Sequence, residues 1–367
     1  MGLQKKILHF VLSICYCLVK LLPQNKKRVV LVSLTSNRLQ DDFQYIYKEL
    51  MNDEFIQIRS TLFKYKPTLL HAFLYFMNCI YQVFVINTAK VVVIHDNNYV
   101  ISNFKMDRVK VIQIWHACGA LKKFGNDIHR EYKIQNYDYV ISTSLKWSQI
   151  YARSFEVKEQ NVLPLGMART DVLFKEEALS SLNKQLLDKY PTWKDKRIIL
   201  YAPTFRGNIV KGMSYININV DHILQQLDKD VLFVYKMHPL LGDVTLSNHE
   251  RCINASNENL YALMSISSCL ISDYSSIIYD YCILSKPILL FVPDIKEYEA
   301  TTGLNESFYE LPLTLCKKED ELVLQLKTLR KDDEIYQQMK DTYFTYQDGC
   351  SAKRIARFIH QIIVEKD

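Results

Sequence analysis

Four short β-like runs end in groups that move protons or hold anions. His116 follows VIQIW, Arg206 follows IILYAPTF, His238 follows LFVYKM, and Asp273, Ser275 and Ser276 follow SCLIS. An imidazole near its ordinary pKa of ~6.5 can take a proton from a hydroxyl at neutral pH. A guanidinium offers a planar fork to phosphate oxygens. In KMHP, Lys236 and His238 stand two residues apart, so both share one strand face and reach one anion, while Pro239 stops the ladder. The Asp273-Tyr274-Ser275-Ser276 turn lies between a strand and an amphipathic helix, where backbone N–H groups and two hydroxyls suit a phosphate. Singly, each feature has an ordinary structural explanation: a helix cap for Asp273 or Ser275, a surface ion pair for Arg206, a core histidine for His116. Together they share a position, because ligands of open parallel sheets sit beyond the carboxyl ends of the strands.

The elements that would place these groups read as parallel α/β structure. From Lys27 onward the runs KRVVLVS, FIQIRST, KVVVIHD, VKVIQIWH, YDYVISTS and NVLPLG alternate with helical patterns. After a helical stretch ending near Pro191 a second series begins: KRIILYAPT, KDVLFVYKMHP, ERCINAS, SSCLISD and KPILLFVPD. Several runs are apolar almost throughout, as expected of strands covered on both faces. The restart predicts a boundary between residues 175 and 195, and 367 residues exceed the ~250 to 300 at which one core usually divides. The closing stretch SAKRIARFIHQIIVEK has apolar residues at helical spacing.

Composition narrows the function. Apolar residues make up 49% and charged residues 23%, which suits a globular protein. Nine cysteines without paired or zinc-ligand spacing read as reduced thiols. No GxGxxG, Walker or GxSxG motif occurs, and no basic-aromatic module for nucleic acid is organised. The net charge of +6 is uneven, with Lys5, Lys6, Lys20, Lys26, Lys27 and Arg28 crowding the N-terminus. ILHFVLSICYCLVKLL (7–22) is shorter than the ~20 residues of a spanning helix and has no small-residue cleavage site after it. It reads as an in-plane helix on an anionic membrane, and PTLLHAFLYFMNCIYQVFVI (67–86) as a second candidate; packing on a core is the alternative for both.

Six stretches carry a resemblance: IWHACGALKKFG (114–125), LGMARTD (165–171), YAPTFRG (201–207), KMHP (236–239), SDYSSIIYDYCILSKPILLFVPDIKEY (272–298) and DGCSAKR (348–354). In this order they resemble the CDP-glycerol glycerophosphotransferase family, the teichoic acid primases and polymerases of Gram-positive bacteria. The resemblance implies a GT-B-like α/β fold, two Rossmann-type domains with parallel sheets facing a central cleft. Residues 1–25 would be the amphipathic membrane-associated helix, 26–185 the acceptor and catalytic-base domain, and 186–367 the donor domain, with the last helix able to pack back on the first. The implied reaction moves an alditol phosphate, glycerol phosphate first, from a CDP-alditol to a lipid-linked saccharide or polymer of undecaprenyl type, with release of CMP. Its implied place is the cytoplasmic side of the cell membrane. CDP-ribitol is the alternative donor, a GT-B glycosyltransferase using a nucleotide sugar the alternative enzyme, and a silent membrane scaffold the reading outside catalysis.

Carried onto this chain, the family pattern makes His116 the general base and His238 the group that binds or protonates the donor pyrophosphate. Arg206, Lys236, Ser275 and Ser276 would hold that pyrophosphate, and Asp273 would orient rather than meet it. Trp115, Gly119, Lys122, Lys123, Arg169, Asp171, Thr204 and Asp294 complete the set as acceptor or nucleotide contacts. No metal site and no required cofactor are implied, although Mg²⁺ is compatible with the chemistry. Two departures stand out: Trp115-His116-Ala117-Cys118-Gly119-Ala120 replaces the common Trp-His-Gly-Thr-Pro, and Ala168 stands where proline is common. Both reshape the acceptor loop and leave the acceptor open. Only about 90 residues precede the matching region, whereas the polymerases often carry a large extra N-terminal part, which favours a primase or short-chain transferase.

Overall fold

A computed structural model describes residues 3–208, 212–238, 241–329 and 333–365. Pro239, expected to stop a strand, lies outside them. The chain forms two compact units, Met1–Ala117 with Phe124–Asp171 and Tyr343–Asp367, and Cys118–Lys123 with Val172–Thr342.

In the first unit six strands make one parallel sheet: β1 (Asn25–Ser33), β2 (Gln57–Leu62), β3 (Ala89–Ile94), β4 (Lys110–Gln113), β5 (Tyr139–Ile141) and β6 (Val162–Leu163), in the order β2-β1-β3-β4-β5-β6. All six residues of β3 are buried, the consequence of a β-branched run placed inside a covered sheet. Helices α1 (Leu3–Val19), α2 (Asp42–Leu50) and α3 (Leu69–Asn87) belong here, as does the C-terminal helix Ser351–Val364. That helix buries Ala352, Ile355, Ala356, Ile359, Ile362 and Ile363 against Val29, Leu31, Phe43 and Ile46. Its helical-period stripe is long enough to finish this core. The expected division at 185/186 is therefore corrected: the break falls at Asp171/Val172, and residues from Tyr343 onward return to the first unit.

The second unit contains β7 (Arg197–Tyr201), the antiparallel hairpin β8 (Arg206–Asn208) and β9 (Gly212–Ser214), then β10 (Val231–Tyr235), β11 (Cys252–Asn254), β12 (Cys269–Ser272), β13 (Ile288–Phe291) and β14 (Thr314–Cys316). Its parallel sheet runs β11-β10-β7-β12-β13-β14. Leaving out the hairpin, this is the Rossmann order, third-second-first-fourth-fifth-sixth, with its switch point between β7 and β12. Each of the eleven expected runs contains a strand. The hairpin and β14 were not expected.

One segment changes side. Cys118–Lys123, expected in the first domain, is stitched onto the second unit. The Asn305 amide donates to the Leu121 carbonyl (2.9 Å), Asn305 Nδ2 to that of Lys122 (2.8 Å), Ser307 Oγ to that of Ala120 (2.5 Å), and the Lys123 amide to Gly303 (3.1 Å). Gly303 must be glycine here. Its φ is +80°, and a Cβ would lie 2.8 Å from Lys123 Cδ.

Candidate active site

In the first unit the chemistry sits at the carboxyl ends of β1, β3 and β4. His116 is exposed, and its Nδ1 donates to the His95 carbonyl (3.2 Å), which selects the tautomer with a lone pair on Nε2. Trp115, beside it, has φ +42°, a conformation that costs a bulky residue about 1–3 kcal/mol. Surrounding contacts hold it there. Gln113 Oε1 accepts from the Trp115 amide (2.8 Å), Gln113 Nε2 donates to the Asp96 carbonyl (2.8 Å), and the indole stacks on Phe124 at 5.0 Å. The strained turn thus aims the next side chain, His116, outward.

His95 and Asp96 were not singled out in the sequence, although KVVVIHD ends an apolar strand as VIQIWH does. His95 Nε2 lies 3.0 Å from Thr35 Oγ1 and 3.2 Å from Ser33 Oγ, and burial lowers its pKa against the pull of Asp41. Asp96 is buried; desolvation raises its carboxyl to about 6, opposed by hydrogen bonds from the Leu34 amide (2.7 Å) and Ser33 Oγ. Its Oδ1 has no partner.

In the second unit the groups gather beyond β7, β10 and β12. Arg206 is not an open fork. Nε and Nη2 donate to Asp294 (2.7 and 3.2 Å), Nη1 donates to Asp273 (2.8 Å) and the Thr204 carbonyl (2.7 Å), and the guanidinium lies 5.0 and 4.7 Å from the Tyr274 and Tyr298 ring centres. These partners engage most of its N–H groups. Asp273, fully buried, also accepts from the Thr204 amide (2.8 Å), and desolvation raises its pKa against the lowering by Arg206. Asp294 additionally accepts from Tyr274 Oη (3.1 Å). Asp273, Thr204 and Asp294 therefore hold the arginine.

Beside this cluster stands Lys122, carried in on the segment that starts from His116. Burial lowers its pKa, Arg206 adds to the lowering and Asp273 opposes it. Its ammonium makes no hydrogen bond among the described residues. The His238 ring lies 4.8 Å from that of Phe205, tilted by 56°; desolvation, then the Lys122 charge, holds its pKa below the usual histidine range. Lys236 Nζ donates to the Ser256 and Glu258 carbonyls (2.6 and 2.8 Å). Ser275 and Ser276 are half-buried in the turn before the helix Ile277–Cys282, and neither side chain caps it in the normal way.

The family whose members are described as CDP-glycerol:poly(glycerophosphate) glycerophosphotransferases matches residues 14–361. The chain belongs to that family. It is 30% identical over 383 residues to the teichoic acid ribitol-phosphate primase of Bacillus spizizenii, covering 98% of this chain and 97% of that one. To the teichoic acid glycerol-phosphate primase of Bacillus subtilis it is 28% identical over 380 residues, 97% of each. The solved wall teichoic acid polymerase TagF shares its fold with a TM-score of 0.72 at 24% identity, over 98% of this chain and 97% of that chain. A UDP-GlcNAc 2-epimerase from Neisseria meningitidis shares the fold more distantly, at TM-score 0.62 and 15% identity, over 91% of this chain and 100% of that chain. The fold is GT-B-like. As a glycerophosphotransferase-family enzyme the chain is a phosphotransferase of the CDP-alditol type, which sets aside the sugar-transfer and scaffold readings.

Two of the motifs meet each other within the first unit. Asp171, expected near a ligand, accepts from the Ser351 and Ala352 amides (2.8 and 2.9 Å) and so caps the C-terminal helix. Arg169 pairs with Asp42 at the start of α2 (3.6 Å). Arg354 Nε donates to the Leu165 carbonyl (3.0 Å), and a Cβ on Gly166 would lie 2.2 Å from Ser351 Oγ. LGMARTD and DGCSAKR are thus two halves of one brace. Gly119 takes φ +77° in the turn that leads to Lys122, and the exposed Lys123 side chain lies along Gly303.

Proposed function

We propose that the enzyme transfers an alditol phosphate, glycerol phosphate first, from its CDP-alditol to a lipid-linked acceptor, and that it starts chains in the manner of a primase. One observation carries this reading: His116 lies just before Cys118–Lys123, the segment that sets the half-buried Lys122 ammonium among the strand-end groups of the Rossmann unit. A proton acceptor and a phosphate-binding cation lie six residues apart. His116 Nε2 takes the proton of the acceptor hydroxyl. That oxygen forms a bond to the β-phosphorus of the donor, the bond from this phosphorus to the bridging oxygen breaks, and CMP leaves with the electron pair. Lys122 takes charge from the diphosphate, His238 supplies a hydrogen bond from its largely neutral ring, and Ser275 and Ser276 add hydroxyls. Positioning and charge stabilisation dominate such transfers. Arg206, with its two carboxylates, keeps the pocket in shape.

Release of CMP is measured with CDP-glycerol and CDP-ribitol against lipid-linked disaccharide, and product length is read on the same samples. Rapid release with CDP-glycerol and addition of one or a few units supports the proposal; no release from either donor overturns it. The 30% identity to the ribitol-phosphate primase favours CDP-ribitol as the second reading, and the same panel separates the two donors.

The membrane reading has its own support. α1 exposes Leu3, Ile7, Phe10, Ile14 and Leu18 at spacings of three and four, and α3, packed against α1, exposes Leu69, Leu70, Phe73, Leu74 and Met77. α3 has the length and hydropathy of a membrane span, 19 residues at a mean hydropathy of 1.7. Its second half, however, buries Cys79, Gln82, Val83, Ile86 and Asn87 in the fold. The exposed part, Leu69–Tyr81, is about 20 Å long, short of the ~30 Å hydrocarbon layer. Docking on the cytoplasmic surface fits this better than spanning. Phe10→Ser with Phe73→Ser should release the protein from vesicles; unchanged flotation would sink this part of the reading.

A further inference from the structure

Away from both catalytic half-sites, the first unit has a concavity of about 590 Å³ whose lining includes Leu22, Gln24, Arg28, Arg59, Tyr81 and Phe84. Two arginines meet there and no carboxylate lines it. The sheet register explains their meeting. In the parallel pair of β1 and β2, Arg28 lies opposite Gln57 and Val30 opposite Arg59, so both arginines point from the same face, toward the last turns of α3. Arg28 Nη1 donates to Thr88 Oγ1 (3.0 Å), while its buried Nε has no partner among the described residues. The Arg59 guanidinium is exposed and makes no hydrogen bond or ion pair among the described residues. Arginines assembled without an acid favour an anion, and two forks suit the tetrahedral oxygens of a phosphate.

The rim points to which phosphate. Leu22 and Tyr81 are 42% and 49% exposed, and Leu21 next to them is 81% exposed, so the concavity opens beside the apolar surface of α1 and α3. Lys20, Lys26 and Lys27 surround it in sequence. Arg28 also lies near the amino end of β1, whereas the catalytic histidines follow the carboxyl ends; five residues of strand separate Arg28 from Ser33, roughly 17 Å. The acceptor's reacting hydroxyl is therefore handled at the opposite edge of the sheet. We propose that this concavity holds the headgroup phosphate of one anionic phospholipid of the bilayer, with Arg28 and Arg59 on the phosphate and Leu22, Tyr81 and Phe84 against the upper acyl chains. The inference rests on the surface-docking reading above and adds a stoichiometric, chemically selective contact to it.

Co-sedimentation with vesicles of phosphatidylcholine, with and without phosphatidylglycerol, tests it at constant ionic strength. An ordinary juxtamembrane cation contributes about fivefold to binding, so Lys27→Gln sets the baseline. Arg59→Gln should cost at least about tenfold on phosphatidylglycerol vesicles, with Arg59→Lys recovering only part, because a lysine cannot make a bidentate contact. Arg59 is exposed, so its variants should keep the wild-type melting temperature, and Arg28→Gln is the second variant. Short-chain dihexanoyl-phosphatidylglycerol should compete with the vesicles, and inorganic phosphate at the same concentration should not. Loss from Arg59→Gln no larger than that from Lys27→Gln overturns the pocket, as does full competition by inorganic phosphate. Binding that is lost in Phe73→Ser yet intact in Arg59→Gln overturns the pocket and leaves the docking face standing; no wild-type binding to either vesicle overturns both.

Discussion

Lys122→Met removes an ammonium and keeps most of its stem, so it should raise the donor KM by about tenfold or more while kcat changes less, since a charged hydrogen bond contributes about 1.5–3 kcal/mol. Steady-state kinetics with CDP-glycerol would show this. The same change removes one of the two influences that lower the His238 pKa, so that pKa must rise. The acid limb of kcat/KM and the His238 ring signals in an NMR titration should both move to higher pH. His116→Asn should instead lower kcat by about 10²–10⁴ with donor affinity nearly unchanged, as for loss of a general base. Arg206 belongs to a different class of experiment. Arg206→Met would leave Asp273 and Asp294 buried without their counter-charge and should cost about 3–5 kcal/mol of stability, read by denaturant titration. The residue types at the strand ends were legible in the sequence, but their allegiances were not. Nothing in YAPTFRG says that Asp273 and Asp294, far along the chain, converge on its arginine, or that the half-buried Lys122 ammonium has no such partners among the described residues.

At the scale of elements, the brace between LGMARTD and DGCSAKR makes a specific expectation. Asp171→Ala leaves two helix-end amides without an acceptor and should cost about 1–2 kcal/mol, visible as a lower melting temperature, while kcat per folded molecule stays close to wild type. A large kcat loss in the intact protein would restore the ligand role first assigned to Asp171. Asp96 gives a pH test. Its carboxyl titrates near 6 in the fold and near 3.8 unfolded, so between these values the folded chain binds more protons than the unfolded one. Its contribution to stability is thus greatest below pH 4 and falls as pH rises through 6. Asp96→Asn should therefore raise the melting temperature relative to wild type at pH 8, by up to about 3 kcal/mol in stability, with the gain vanishing at pH 4. The strands themselves were readable because buried parallel strands need unbroken apolar runs, as β3 and β7 show. The hairpin of β8 and β9 and the edge strand β14 were not, since strand preference depends on the neighbours a segment packs against as well as on its own residues.

For the whole molecule, the double α/β series announced two units, but not the break at Asp171/Val172 or the exchange of Cys118–Lys123. The helical stripe of Ile355, Ile359, Ile362 and Ile363 is visible in the sequence, yet a stripe does not say which sheet it will cover. Because that helix completes the first core, the unit of Val172–Thr342 is inserted between two segments of the other. During synthesis Cys118–Lys123 and Val172–Thr342 leave the ribosome before Ser351–Val364, so the second unit can fold while the first still lacks the helix that covers Val29, Leu31, Phe43 and Ile46. The unit that carries His116 is thus the later of the two to mature, its core open until residues 351–364 have been made.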